Sequence, residues 1–387
     1  MSKNLKIGLF GFGCVGQGFY HILEKNTSLK ATIKSISIKN IDKLRHIPAQ
    51  YFTNQPNDIL EDKEIDLIVE AIDDADAAFS IVKKGLQNGI SVVSANKKMI
   101  ASQLAELLSL QKESQTTFLY DAAVCGSIPI IRNIEDYYQN DNINEIETIC
   151  NGTTNYILTK TTQENKSYSE VLEEAQALGF AESDPTLDVQ AFDSKYKLII
   201  LTAHAFGLVL SPEKVWNYGI QFLEQQDIRF AQTHGFSIKL IAKAQKTPEG
   251  LKVYVAPHFI ADNHPFFHVH NENNAVAIRS EYISEQVLYG KGAGSLPTGA
   301  SVFSDVYALK KAYKYDYLGL ESQESLEYNP NIELKVYCRF ETQSLIEEID
   351  FTNVEELTNH YIIGNIRLQT LIEAKLNERK GIFLVVF

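Results

Sequence analysis

With 387 residues the chain is too long for one hydrophobic core of ordinary size, so two or three domains are expected. Its 44% hydrophobic and 22% charged residues exclude a disordered chain, and a formal charge of -13 excludes a general binder of nucleic-acid backbone, which needs clustered Lys and Arg. Scattered cysteines (Cys14, Cys125, Cys150, Cys338), no signal-peptide core in Met1 to Phe10 and no apolar run near the roughly 20 residues of a membrane span predict a cytoplasmic protein with no membrane partner.

In chain order, Lys6 to Phe10 is a short strand, followed by Gly11, Gly13 and Gly16 and an amphipathic stretch to Asn26. Strands are predicted at Thr32 to Ile38, Asp66 to Ile72, Ile90 to Ser94 and Thr117 to Tyr120, with helices at Ala75 to Asn88 and Ala101 to Lys112. Strands alternating with helices predict an α/β fold, a doubly wound parallel sheet of Rossmann type. After Pro129 the pattern changes. A strand at Ile143 to Cys150 leads into NGTTNYIL, helices follow at Ser169 to Leu178 and about Asp188 to Phe206, and Val253 to Ile260 and Glu285 to Leu288 read as strands of a separate antiparallel sheet. A glycine-rich turn then precedes a helix at Ala300 to Tyr313, and Glu321 to Asn331 reads as a linker. The expected organisation is a nucleotide-binding domain over 1–130 completed by the helix near 300–315, an α+β domain over 131–299, and a short α/β tail over 320–387.

The segment Gly11-Phe12-Gly13-Cys14-Val15-Gly16 follows a strand and opens a helix. The first glycine permits the tight turn, the second lets the backbone approach a pyrophosphate, and the third lets the helix pack closely, with free helix N–H groups for the phosphates. At the head of a βαβ series this predicts a dinucleotide site. The second strand ends Ile38-Lys39-Asn40, with Arg45 nearby and no acid in register for ribose hydroxyls, a pattern that tolerates a 2′-phosphate and leans to NADP; as plain exposed loop residues they would leave NAD possible. Lys97 and Lys98, after the strand ending at Ser94, lie where this fold binds ligands, or are solvated loop lysines. Asn151 to Asn155 supply helix-capping groups that could also receive a carboxylate. Asp193 and Lys197 are one helical turn apart, and the preceding loop adds Glu182, Asp184 and Asp188. A surface ion pair is the bland alternative; carboxylates grouped beside a lysine suit a substrate bearing an ammonium group.

The segments GFGCVG, SANKKMIA, DAAVCGSIPII, NGTTNYIL, EEAQALGFAESDPTLDVQAFDSKYK and GKGAGSLPTGASVFSD occur in this order over most of Lys6 to Ala312, and together they resemble the homoserine dehydrogenase family. The resemblance implies hydride transfer between NAD(P)H and L-aspartate 4-semialdehyde, giving L-homoserine, or the reverse. It implies Lys197 as proton donor with Lys97 assisting, substrate contacts from Glu182, Asp193, Asp188, Thr153 and Gly152, and cofactor contacts from Gly11 to Gly16, Lys97 and Gly292. It further implies a monovalent cation such as Na+ at Asp121, Val124, Gly126 and Ile128, and a homodimer built across the substrate domain. A dehydrogenase of a related amino acid or semialdehyde, or a catalytically silent NADP-binding sensor, are the alternatives.

The chain departs from the family pattern at Asp73-Asp74, where glycines are usual, and at Asp121, one methylene shorter than the usual Glu. The form without an aspartokinase part is expected. Relatives often carry a βαββαβ regulatory tail. Ile332 to Phe387 offers strands at Glu333 to Phe340 and Ile382 to Phe387 and one helix near Leu368 to Leu376, too little for that module; weak threonine inhibition and a tail that packs on the nucleotide domain or a second subunit are expected.

Overall fold

Six strands form the first sheet: β1 (Leu5–Phe10), β2 (Ala31–Ser37), β3 (Phe52–Thr53), β4 (Leu67–Glu70), β5 (Ser91–Ser94) and β6 (Phe118–Leu119). Their order is β3-β2-β1-β4-β5-β6 and every pair is parallel, the doubly wound arrangement that the alternation predicts. All of β4 is buried, as expected of a strand covered on both faces. The chain reverses direction across the sheet between β1 and β4, so the crevice at their C-terminal ends is the position where this architecture binds ligands. The computed structural model describes residues 4–26, 28–321, 326–347 and 349–387; the predicted linker lies partly outside them. It divides into two compact units, Met1–Tyr137 with Lys291–Tyr317, and Tyr138–Gly290 with Leu318–Phe387.

The helix Ser295–Lys310 belongs to the first unit because two glycines let it approach the helix Cys14–Lys25 backbone to backbone. A Cβ on Gly18 would lie 2.5 Å from the carbonyl carbon of Ser295, and one on Gly299 would lie 2.5 Å from that of Gly18. The helix starts earlier than the predicted Ala300, because Pro297 sits in the first turn, where an absent N–H leaves no hydrogen bond unmade.

The second unit is built on a ten-stranded mixed sheet of β7 (Ile143–Ile149), β8 (Trp216–Asn217), β9 (Phe236–Thr247), β10 (Gly250–Ala261), β11 (Asn273–Ser280), β12 (Ser284–Lys291), β13 (Glu333–Phe340), β14 (Phe351–Leu357), β15 (Tyr361–Arg367) and β16 (Ile382–Val386). The order is β12-β11-β7-β9-β10-β16-β13-β15-β14, with β8 on β10. The expected helix from Asp188 to Phe206 is broken. A short turn, Thr186–Val189, ends at Gln190, Ala191 takes a left-handed conformation (φ 68°), and a new helix runs Phe192–Phe206. The break is held from outside: the Ile220 N–H donates to the Val189 carbonyl at 2.7 Å, and Asn217 Nδ2 to the Gln190 carbonyl at 2.7 Å.

The tail also departs from expectation. Besides the two strands legible in the sequence it contains β14 and β15, and its own strands take the order fourth, first, third, second. Between β13 and β14 the described residues hold one 3-10 turn, Gln343–Leu345, where a βαββαβ module has its first helix. The tail extends the second unit's sheet through β16, whose Val386 is the parallel bridge partner of His258 on β10. A buried ion pair adds to this joint. Arg339 on β13 donates through Nε to Asp227 Oδ1 at 2.9 Å with exposures of 1% and 0%, and through Nη2 to the Phe222 carbonyl at 2.7 Å. Removing one member of such a pair strands the other's charge, at about 3–5 kcal/mol. Arg339→Met is therefore expected to lower unfolding free energy by about that amount in urea titration, whereas Lys335→Met, whose ion pair with Glu355 is more than 40% exposed, should change it by less than about 1 kcal/mol.

Candidate active site

The glycine turn of the first unit has the local geometry of a dinucleotide cradle. Gly11 has φ 92°, and a side chain there would strike the Ala71 backbone; Gly16 packs its Cα face on the Gly11 carbonyl. A Cβ on Gly13, in contrast, would meet nothing within 4 Å. Space is therefore left at the second glycine, where a ligand approaches, and denied at the first and third, where the protein packs. Gly13 is also the N-cap of the helix Cys14–Lys25 and offers no side chain to its first turn, so those N–H groups suit a pyrophosphate. Phe12, Cys14 and Val15 complete this turn.

Beside it, the end of β4 and the start of the helix Lys97–Ser114 are joined by a buried polar network. Glu70, fully buried, accepts the Ile72 N–H at 2.7 Å and the Ser94 hydroxyl; Asn96 caps the helix through the Met99 N–H at 2.9 Å and donates to the Ile72 carbonyl at 2.9 Å. Burial pushes the Glu70 carboxyl up to about 7. Lys97 is the first residue of that helix and is half-buried. Asp74 caps the helix Ala75–Gln87 through the Ala77 N–H at 3.0 Å, which gives this acid a local structural use. Lys39 is 82% exposed and reaches Asp74 at only 3.4 Å.

Asp121 is fully buried. Its Oδ1 accepts the N–H groups of Ile131 at 2.9 Å and Arg132 at 3.3 Å, at the start of the helix Ile130–Tyr137. Asp305, also fully buried, accepts the Asp121 N–H at 2.9 Å, and burial raises both carboxyls despite Arg132. Val124, Gly126 and Ile128 follow in a loop where Cys125 and Gly126 both have φ near 55°. A Cβ on Gly126 would lie 2.5 Å from Gly292, so these glycines set the closeness of the two strands of chain.

In the second unit the structure gathers Lys197, Asp193, Asp188 and Asn151. Lys197 Nζ donates to Asp193 Oδ2 and to the Cys150 carbonyl, both at 2.6 Å. The pair is 9% and 6% exposed, so it is no surface ion pair. Asn151 Nδ2 bridges two acids, donating to Asp193 Oδ2 at 2.9 Å and Asp188 Oδ1 at 2.7 Å, while its Oδ1 caps the helix Gly152–Glu164 through the Thr154 N–H at 2.8 Å. The sequence marks Asn151 as a helix cap or part of a carboxylate site, not as a bridge between two acids. A cap places one side-chain atom, and the bridge made by the other amide end needs the folded positions of Asp188 and Asp193. Thr153 spends its hydroxyl on the Phe180 carbonyl at 2.6 Å, which ties the loop carrying exposed Glu182 to the helix start. A Cβ on Gly152 would lie 2.8 Å from the Glu272 carbonyl oxygen, so glycine is needed there for packing. Among the described residues no cluster of His, Cys, Asp and Glu could hold a metal ion, and no helix is long and apolar enough to cross a membrane.

A glycine cradle for a dinucleotide and a buried lysine held by a carboxylate and a backbone carbonyl define the class: an NAD(P)-dependent oxidoreductase. Residues 11–121 match the family model for the homoserine dehydrogenase NAD-binding domain, and residues 129–307 that for homoserine dehydrogenase itself. The chain is 37% identical to the homoserine dehydrogenase of Bacillus subtilis, over 80% of this chain and 73% of that one, and 34% identical to that of Lactococcus lactis, over 87% and 83%. The crystal structure of a homoserine dehydrogenase from Thiobacillus denitrificans superimposes with a TM-score of 0.88 at 26% identity, covering 99% of this chain and 98% of that one. A hyperthermophilic archaeal homoserine dehydrogenase in complex with NADPH gives a TM-score of 0.68 at 25% identity, covering 81% and 99%. The chain belongs to the homoserine dehydrogenase family.

The buried carboxyl of Glu70 has a pH consequence. Its folded value near 7 stands above its ordinary 4.5, so the folded state holds the proton more tightly and this group's contribution falls as pH rises between those values. Glu70→Gln imitates the protonated form. Its melting temperature should match that of the parent near pH 5 and exceed it at pH 8; equal differences at both pH values would contradict the assignment.

Proposed function

We propose that the chain interconverts L-homoserine and L-aspartate 4-semialdehyde, with Lys197 as the acid that protonates the developing alkoxide. The observation that carries the reading is the placement of the lysine. Asp193 and the Cys150 carbonyl hold its ammonium in one direction, in a setting dry enough for its charge to act on a neighbouring oxygen at low dielectric. Bound nicotinamide supplies or takes up the hydride. Asp193 orients the lysine and, with Asp188 and Glu182, supplies negative charge suited to a substrate ammonium. Gly152 and Thr153 shape the helix start beside it, and Lys97 is the second cation of the reading. A silent sensor would have no use for a buried lysine fixed in this way.

On the first unit, Gly11 to Gly16 would bind the pyrophosphate and Gly292 would lie by the nicotinamide. A monovalent cation at the carbonyls of Val124, Gly126 and Ile128 with Asp121 belongs to the same reading, supported by two buried carboxylates facing a single guanidinium; no step above depends on it. A homodimer through the second unit is supported by Tyr282, Val287 and Tyr289, exposed by 70%, 41% and 60% at its sheet edge. The four free cysteines suit a cytoplasmic setting.

Lys197→Met should lower kcat by about two to four orders of magnitude, with NADPH affinity kept. Because the substitution strands buried Asp193, melting is measured alongside, and Asp193→Asn is the companion; near-normal turnover in a folded Lys197→Met protein would refute the assignment.

Cofactor choice follows from the end of β2. Lys39, Lys43 and Arg45 are cations there, and Asn40 Oδ1 caps its own loop through the N–H groups of Asp42 at 3.0 Å and Lys43 at 3.1 Å, so the first two residues after the strand's Ile38 are a lysine and an amide rather than an acid. NADPH should be used at least as well as NADH, and Lys39→Asp should shift kcat/KM toward NADH. A strong preference for NADH in the unmodified enzyme would overturn this.

A further inference from the structure

Asn151 stands between the end of β7 and the helix Gly152–Glu164, only 6% exposed, and its side chain carries more bonds than a cap requires. Chemistry fixes which way its amide points. The Thr154 N–H, 2.8 Å away, can only donate, so the amide oxygen faces the helix and the nitrogen faces the acids. Both hydrogens on that nitrogen are then committed, one to Asp193 Oδ2 at 2.9 Å and one to Asp188 Oδ1 at 2.7 Å. The same Asp193 oxygen takes Lys197 Nζ at 2.6 Å. Of the two acids, Asp193 is buried with the lysine, whereas Asp188 is half-buried and keeps surface for a ligand.

Two carboxylates gathered on one nitrogen repel each other, and an N–H donated to a carboxylate favours its charged form. The amide therefore offsets the repulsion without adding a charge of its own. A lysine at this position would cancel the negative charge that suits a substrate ammonium, an acid would deepen the repulsion, and a hydroxyl has one hydrogen for two acceptors. Asparagine gives two donors to the acids and one acceptor to the helix. We propose that Asn151 is a positioning residue that divides the two acids between two tasks, Asp193 aiming Lys197 and Asp188 receiving the substrate's ammonium. This rests on homoserine being the substrate and Lys197 the acid.

Serine caps a helix about as well as asparagine, so Asn151→Ser keeps the cap and removes the bridge. Kinetics with L-homoserine, NADP+ affinity and melting are measured for the full-length parent, Asn151→Ser, Asp188→Asn and the double variant. A lost hydrogen bond to a charged group predicts that Asn151→Ser raises KM for homoserine and lowers kcat by about tenfold each, with NADP+ affinity kept. Residues that act through one another are not additive, so with Asp188 already replaced the serine should raise KM by less than about twofold further, while kcat still falls. A capping role alone predicts parental kcat and KM in Asn151→Ser. That result, or an equal rise in KM with and without Asp188, would overturn the proposal. A folded parent inert toward homoserine would instead overturn the assignment of substrate, and the proposal with it. If Asn151→Ser does not melt as a folded protein, Asn151→Asp, also a good cap, takes its place with the same expected changes.

Discussion

The buried pair of Lys197 and Asp193 sets the terms for the second unit. Two charges with less than a tenth of their surface exposed are tolerable only with close geometry and with their remaining hydrogen-bonding capacity used. The fold meets that demand from three directions: the Cys150 carbonyl at the end of β7, Asn151 at the start of the next helix, and the helix that carries the pair itself. The break at Gln190 and Ala191 belongs to the same requirement. A continuous helix from Asp188 would have put Asp188 and Asp193 five residues apart on one regular spiral, whereas the left-handed Ala191 lets a single amide reach both.

The first unit is governed by backbone closeness. Gly11 and Gly16 are fixed by neighbouring backbone, Gly18 and Gly299 by the crossing of two helices, and Gly126 by the chain at Gly292. Gly13 alone of the fingerprint glycines faces open space. The sequence motif thus combines two physical demands, packing and access, which only the folded positions separate. Glu70 shows the same from the polar side: it reads as one residue within the apolar strand predicted from Asp66 to Ile72, yet it closes a network with Ser94 and Ile72 next to Asn96, the cap ahead of Lys97.

How much of this was legible follows from the kind of signal. The parallel sheet was readable because its strands are apolar runs between glycine-rich turns and amphipathic helices, and Asp193 and Lys197 because a spacing of four is a helical contact. β9 was missed because its buried face carries charge. Lys239 is 1% exposed, donating to the Val269 carbonyl and Asn155, and Lys243 is held by Glu145 and Glu147 of β7; a lysine-bearing run does not resemble a buried strand until its partners are known. Glu147, its carboxyl held down to about 2 chiefly by His264 and Lys243 against the opposing effect of burial, is equally mute in sequence.

The tail shows what strand pairing can preserve when a helix is lost. Its strands keep the order and antiparallel pairings of a βαββαβ sheet, although among the described residues a single 3-10 turn stands between β13 and β14. In a free-standing module that helix would help cover one face. Here the cover comes from the body of the unit: Arg339 of β13 meets Asp227 on the helix Gln225–Thr233, and Phe230 of that helix stacks on Tyr337 at 4.4 Å. A sheet face needs an apolar neighbour and its buried charges need mates, but neither has to come from its own module. The same substitution accounts for the fusion of the tail to β10, where β16 gains a second strand partner in place of an exposed edge. One consequence reaches the helix Phe192–Phe206. Asn377 bonds Asn217, Asn217 bonds Gln190, and Gln190 precedes the left-handed residue from which the Asp193 helix starts, so the tail is tied by hydrogen bonds to the turn that positions the site.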